Sequence, residues 1–399
     1  MSIGIIITIC SLLLIAYIFD ITSKFTKIPT VIFLLFLGWA VNQLALLFNI
    51  NIPDLNPLLP ILGTIGLILI VLDGSLELEL NKSKIPLIKK SLIISLFSLL
   101  VFSLLFGWAL NYFFNLPFKT CLLNAIPLSI ISSAIAIPSV RDLSSTQKEF
   151  IIYESSLSDI FGILFFNFIE INEVINTVSY LSFALNIVIV IVLSFISVII
   201  LAFLLSHIRH HITFTPIILL VILLYTLSKV YHLPGLIFIL IFGLFLGNIE
   251  IIKRNKWLIK LQTEKLNKEV HKFKEITVEA TFLIRSLFFL LFGFLMDATE
   301  LLNIETLPWA FVIVFGIFAI RFVALKLSNL PISPLLFISP RGLITILLFL
   351  AILPKDSIPF INKSLIIQSI VISILAMMVG LISYNKNEEN SKPKEEMNF

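Results

Sequence analysis

The chain has 399 residues, 59% of them hydrophobic and 13% charged, with a mean hydropathy of +1.09 and a formal net charge of +4. Soluble domains average about 45–50% apolar and about 25% charged residues, so a water-soluble fold has no place for these side chains and a bilayer is expected. The small net charge argues against a nucleic-acid partner, and the two cysteines, Cys10 and Cys121, lie in or beside apolar runs as small core residues rather than a disulfide or metal site.

A hydrocarbon core about 30 Å thick takes about 20 helical residues. Apolar stretches of that length, bounded by charge, Pro or Gly, centre near residues 11, 39, 66, 99, 130, 159, 193, 222, 242, 287, 317, 344 and 374, which predicts thirteen spans. The eighth and ninth are separated only by Lys229, His232, Pro234 and Gly235, so twelve is the alternative count. The first stretch has neither a basic flank nor a cleavage pattern and is expected to be a permanent span, not a signal peptide. With the N-terminus outside, alternating spans place 21 Lys and Arg on the cytoplasmic side and 4 outside, namely Lys119, Lys229, Lys355 and Lys363. That is the positive-inside arrangement, and it puts the C-terminus in the cytoplasm.

The expected organisation is a transmembrane domain over 1–384 and a short polar cytoplasmic tail over 385–399, disordered by composition. Within the domain, 251–275 reads as a cytoplasmic amphipathic linker, with Trp257, Leu258, Leu261, Val270 and Phe273 spaced among Lys and Glu. It would lie on lipid headgroups or serve a partner. His207, His210 and His211 cluster on the same side, as a solvated loop or a pH-sensing group.

An ionisable group at the bilayer centre costs from about 3 to more than 10 kcal/mol, which makes it a functional candidate. The sixth span carries Glu154-Ser155-Ser156-Leu157-Ser158-Asp159, with Asp159 about ten residues from either end and unable to snorkel. Ser155 lies at i−4 from Asp159 and Ser158 at i+4 from Glu154, so these four side chains form one broad face of oxygen atoms. Such a face suits a hard cation, and a carboxylate withdrawn from water also takes up a proton more readily. The alternative is a buried carboxylate that holds helices together.

In the fifth span Pro127 and Pro138 bracket Ser129-Ile130-Ile131-Ser132-Ser133-Ala134, where a helix is expected to unwind. The twelfth has a matching break at Ile338-Ser339-Pro340-Arg341-Gly342. Paired interruptions in the two halves of a transporter point to a midmembrane binding site built from half-helix ends. Three arginines, Arg285, Arg321 and Arg341, fall inside apolar runs and need partners, for which Glu154 and Asp159 are the deepest carboxylates. Asp73, near the cytoplasmic end of the third span, is placed either in an interfacial position or in a cytoplasmic funnel.

This pattern resembles the monovalent cation/proton antiporter superfamily, and more closely its sodium/proton exchanger branch. The resemblance rests on Glu154-Ser155-Ser156-Leu157-Ser158-Asp159, similar to that branch's Glu-Ser-x-x-Asn-Asp motif, and on Ser339-Pro340-Arg341-Gly342, similar to its Arg-Gly break. Arg285-Ser286 followed by Phe288-Phe289, the span ending Gly74-Ser75-Leu76-Glu77 and the arginine in the eleventh span add to it, over about residues 1–384.

The resemblance implies an all-α polytopic membrane protein of about 13 transmembrane helices with inverted repeats. Two crossing discontinuous helices would stand in a core domain, beside a dimerisation scaffold that makes a homodimer. It also implies that Asp159 alternately carries a cation and a proton, that Ser155, Ser158, Ser132 and Ser133 help coordinate the ion, and that Glu154 forms a structural ion pair with Arg321. Arg285 and Arg341 are auxiliary charges of the core. The implied activity is Na+/H+ exchange by alternating access in the cell (inner) membrane, without cofactor and not as an enzyme, the partners being monovalent cations, protons and the lipid bilayer.

Two departures bear on ion choice. Ser158 replaces the branch's Asn, supplying an oxygen but not the amide donors. Ile131-Ser132-Ser133 stands where the branch usually has Thr-Asp-Pro, which is closer to the potassium-linked branch and leaves K+/H+ antiport as the alternative. A single titrating carboxylate implies one proton per monovalent cation. A channel with Asp159 as its selectivity charge is the more distant rival, and a membrane-embedded enzyme with Glu154 and Asp159 as an acid/base pair is more distant still.

Overall fold

The computed structural model describes residues 2–26, 28–50, 52–78, 82–140, 143–173, 176–207, 214–230, 235–248 and 263–391. Among these the regular structure is helical, without strands. The helices are α1 (Ser2–Thr26), α2 (Thr30–Leu47), α3 (Leu58–Glu77), α4 (Ile85–Phe114), α5 (Phe118–Ser129), α6 (Ser133–Ser139) and α7 (Ser145–Ile171). They continue as α8 (Thr177–His207), α9 (Phe214–Val230), α10 (Gly235–Gly247), α11 (Thr263–Phe294), α12 (Leu307–Leu327), α13 (Leu343–Ala351) and α14 (Lys363–Ser391). Each predicted span falls on one helix, except that the fifth is divided into α5 and α6 and only the second half of the twelfth, α13, is helical. Nine of these segments are long and apolar enough to cross a membrane among the described residues. The sixth, eighth, ninth and twelfth are shorter or more polar. The eighth and ninth are separate helices, α9 and α10, and their connection at 231–234 lies outside the described residues.

Local chemistry sets the helix ends. Pro29, Pro57 and Pro117 stand at the N-caps of α2, α3 and α5, and α4 and α12 carry a proline in the first turn, where a missing N–H costs no helical bond. Asn115 ends α4 at φ 51°, and Asn49 and Asn329 take the same left-handed conformation just beyond α2 and α12.

The helices pack in two groups. One comprises α4 to α7 with α12, α13 and α14; the other comprises α1 to α3 with α8 to α11, and α3 meets α6, α7 and α13 of the first. Without a hydrophobic force between helices in lipid, close backbone approach has to hold such bundles together. At Gly247 on α10 a Cβ would come within 2.6 Å of the Leu76 carbonyl oxygen, so α10 reaches this contact with α3 only through glycine. Trp108, Tyr112 and Phe113 are exposed near the C-terminal end of α4 and Trp309 at the start of α12, the aromatic pattern of a membrane border.

Two sequence expectations need revision. The linker expected over 251–275 is described only from Thr263, where it is the N-terminal extension of the tenth span: α11 runs 32 residues without interruption to Phe294. No Pro or Gly breaks it before Gly293, and its Glu and Lys residues are good helix formers. Val270 and Phe273 are buried in protein, Phe273 against Phe214 and Phe242, so this apolar face does not lie on headgroups. Trp257, Leu258 and Leu261 lie outside the described residues, as do His210 and His211. The tail expected to be disordered from residue 385 begins as helix, α14 continuing to Ser391.

Candidate functional site

The two chain breaks meet. In the fifth span Pro127 sits in the last turn of α5, Ile130 and Ser132 take extended conformations, and the helix resumes at Ser133. The N–H groups freed by unwinding find partners in other spans: Ile131 N donates to Ser158 Oγ at 3.0 Å and Ser132 N to the Pro340 carbonyl at 2.9 Å. Irregular backbone at membrane depth survives only when its polar groups are satisfied in this way. The twelfth span is less regular than the sequence suggests. Pro331, Pro334 and Pro340 crowd its first half, and residues 333–337 form turns rather than a half-helix. Gly342 then starts α13, and a Cβ there would stand 2.8 Å from Ser132 Oγ.

Among the described residues four charged side chains are fully buried: Glu154 and Asp159 on α7, Arg321 on α12 and Arg341 at the second break. Glu154 and Arg321 form a two-pronged pair, Nη1 to Oε1 at 2.5 Å and Nη2 to Oε2 at 2.8 Å, with Arg321 Nε donating to the Leu335 carbonyl at 2.8 Å. The planar guanidinium fork suits a carboxylate held in this way.

Arg341 bonds instead to backbone. Its Nε donates to the Leu128 carbonyl at 2.6 Å, Nη2 to that of Ser129 at 3.3 Å, and Nη1 to the Ser339 carbonyl at 3.0 Å and Oγ at 2.8 Å. Leu128 and Ser129 close α5, so the guanidinium caps carbonyls at the negative end of a half-helix and ties one break to the other. The Arg341 N–H donates to Ser373 Oγ on α14 at 2.9 Å. Arg321 and Arg341 line one small cavity with Ser98, Ile131 and Ser339.

Asp159 lies midway along the 27-residue α7 and is 1% exposed. One oxygen, Oδ2, accepts from the Ser133 hydroxyl and, at 3.4 Å, from the Ser133 N–H. The other, Oδ1, is buried without a hydrogen-bond partner, as is the hydroxyl of Ser132. A carboxylate so placed, with a spare oxygen beside an unwound backbone, can take up either a proton or a small cation.

The remaining predicted residues divide. Ser155 is buried on α7 but its hydroxyl donates back to the Ile151 carbonyl at 2.7 Å, and Ser158 acts as acceptor for the unwound segment. Arg285 is half-buried on α11, in the other helix group. Asp73 is half-buried on α3, where the next residue, Gly74, passes Ser156 of α7 closely enough that a Cβ would stand 3.2 Å from its hydroxyl. Sequence reasoning missed the Leu128, Ser129, Leu335 and Pro340 carbonyls and the Ser373 hydroxyl. Backbone groups carry no residue-type signal, and a lone serine in an apolar helix is unremarkable.

The fold is that of known transporters. The chain superposes on the sodium proton antiporter MjNhaP1 of Methanocaldococcus jannaschii at pH 8 with a TM-score of 0.66 and 20% identity, over 96% of each chain. An electron-microscopy structure of the same antiporter gives a TM-score of 0.71 at 20% identity, over 99% of this chain and 100% of that one. No curated protein sequence matches. The family described as sodium/hydrogen exchanger, transmembrane, matches residues 10–383, nearly the whole chain. With thirteen apolar stretches, two broken spans in contact and a buried carboxylate beside them, the chain belongs to the sodium/hydrogen exchanger family of multi-pass membrane antiporters.

Proposed function

We propose that the chain exchanges sodium for protons across a cell membrane by alternating access, with the two ions competing for Asp159. The observation that carries this reading is the half-satisfied carboxylate: Oδ2 is held by Ser133 while Oδ1 is buried with no hydrogen-bond partner. Ionised, Asp159 offers a charge that a dehydrated cation neutralises. Protonated, it offers none and the cation leaves. If the core helices move only when that charge is neutralised, the two fluxes are coupled.

In this reading Ser132, Ser133, Ser155 and Ser158 shape or line the site, the Glu154–Arg321 pair holds α7 against α12, and Arg341 fixes the crossing. The stoichiometry is one proton per monovalent cation, because of the two acids fully buried among the described residues Asp159 lacks an arginine partner and Glu154 has one. No cofactor is needed. The protein acts as a homodimer in the cell (inner) membrane, and the exposed apolar residues of α1 and α8, such as Ile6, Leu14, Leu185 and Val192, give it faces for lipid or a second copy. Transport should fall at both pH extremes, as protons saturate the site or run out.

Potassium/proton exchange is the second reading. It is favoured by Ser132-Ser133, which puts two hydroxyls where the sodium branch has a second carboxylate.

Proteoliposomes loaded with a pH-sensitive dye and given sodium, potassium or lithium in turn test the proposal. Dequenching by sodium above the others, lost in Asp159→Asn, is the expected result. Cation-driven proton flux persisting in Asp159→Asn would overturn the competition mechanism, and a conductance with no coupling to pH would mean a channel.

A further inference from the structure

Among the described residues three buried oxygen atoms on the two broken spans and α7 lack hydrogen-bond partners: Asp159 Oδ1, Ser132 Oγ and Thr345 Oγ1. Four other orphaned hydroxyls, at Ser98, Ser103, Ser286 and Ser369, stand on α4, α11 and α14, and Ser98 lines the small cavity with Ile131 and Arg341. A buried polar oxygen normally has a partner, and leaving several in one region is costly unless a ligand takes them up.

Thr345 is 1% exposed and lies in the first turn of α13. Its neighbours along the helix fix its direction. A Cβ built on Gly66 or Gly63 of α3 would meet Leu343 at 3.4 Å or Leu347 at 2.4 Å, so these two leucines face the second helix group. Thr345, two residues from each, points to the opposite side, the side α13 shares with α5 and α7. Three residues before it, Gly342 stands against Ser132, where a Cβ would be 2.8 Å from the hydroxyl oxygen. Gly342 is the N-cap of α13, so the helix that carries Thr345 starts against the α5–α6 break. Ser133, next in chain to Ser132, holds Asp159.

We propose that Thr345 supplies a protein oxygen to the transported cation together with Asp159 and Ser132, and that it sets which monovalent cation the site prefers. This rests on the proposed antiport function and deepens it. An oxygen-only donor set replaces the hydration shell of an alkali cation, and the cost of an absent ligand is greatest for the smaller, more strongly hydrated ion. Threonine suits such a role because its hydroxyl, which in a helix commonly bonds back to a carbonyl one turn earlier, makes no such bond here and is left for a ligand.

The test is cation-driven proton flux in proteoliposomes carrying the parent chain, Thr345→Val and Thr345→Ser, with lithium, sodium and potassium chloride. Thr345→Val keeps the shape and removes the oxygen. Its apparent KM should rise about tenfold for sodium and lithium and less for potassium, and Thr345→Ser should restore the parent order. Unchanged KM values, or an equal loss of rate for all three cations with the preference kept, overturn the proposal, since a purely structural role does not alter the ratio. If Thr345→Val does not reach the membrane, Thr345→Ala is read by the sodium-dependent rise in its apparent Tm. A rise equal to the parent's overturns the proposal and a diminished one supports it. Failure of the parent itself to exchange any cation for protons would sink the antiport reading instead, and is visible in the same assay before any variant is scored.

Discussion

Removing Arg321 should expose how strongly the Glu154 carboxylate depends on it. Both side chains are fully buried, and their two hydrogen bonds are 2.5 and 2.8 Å long. Breaking a buried pair by deleting one partner costs about 3–5 kcal/mol, because a charge is left in low dielectric without compensation. Arg321→Leu should therefore lower the apparent unfolding midpoint by about 3–10 °C, at about 1–2 °C per kcal/mol for a chain of this size. The double variant Glu154→Leu, Arg321→Leu removes both charges. It still leaves the Leu335 carbonyl without its guanidinium donor, an orphan worth about 1–3 kcal/mol, so it should recover only part of the loss. The assay is thermal unfolding of the detergent-solubilised protein followed by size-exclusion fluorescence, with all variants heated at one rate because unfolding of such proteins is commonly irreversible. A double variant no more stable than Arg321→Leu would refute the reasoning, since it would mean that the unpaired carboxylate carries no penalty.

Gly342→Ala should push the two breaks apart, because the new Cβ would sit 2.8 Å from Ser132 Oγ and 2.6 Å from Ile135. We expect about 1–3 kcal/mol of destabilisation and a loss of transport larger than the loss of folded protein, measured as flux per unit of protein inserted. Gln368→Leu should loosen the segment before α12, since this buried amide donates to the Leu301 and Asn303 carbonyls at 3.1 and 2.9 Å and accepts from Thr306 at 2.8 Å. At about 1 kcal/mol per bond the cost is about 2–4 kcal/mol, and limited proteolysis between 297 and 306 should speed up accordingly. In the loop between α2 and α3, hydrogen bonds from the Asn56 backbone and side chain hold Asp54 below its ordinary value of 3.8. A carboxylate depressed on folding adds stability that is present above its unfolded value and is lost as pH falls through the folded one. Asp54→Asn, which removes the titrating group, should therefore shrink the difference in apparent midpoint between pH 5 and pH 3, with Asn56→Ala giving a smaller effect because the backbone bond stays, and an unchanged difference in Asp54→Asn would sink that account.

The sequence by itself determined the solvent and the spans. Apolar runs of span length and the prolines at helix starts are one-dimensional signals, because a bilayer selects on length and hydropathy. It also marked Glu154, Asp159, Arg321 and Arg341, since a charge inside an apolar run stands out however the chain folds. The linker was misread for a related reason: residues 263–275 have the amphipathic pattern of a surface helix, and only the packing of Phe273 against Phe214 and Phe242 distinguishes a protein face from a lipid one.

Tertiary structure alone decided the partnerships. Nothing in the sequence indicates that Arg341 bonds to the Leu128 and Ser129 carbonyls, that Ser158 accepts from Ile131, or that three prolines reduce the first half of the twelfth span to turns. Those contacts join residues up to 213 positions apart, through backbone atoms that every residue type carries. Which oxygens beside Asp159 are left without a hydrogen bond depends on how the two breaks lie against each other, a geometry fixed only when the spans pack.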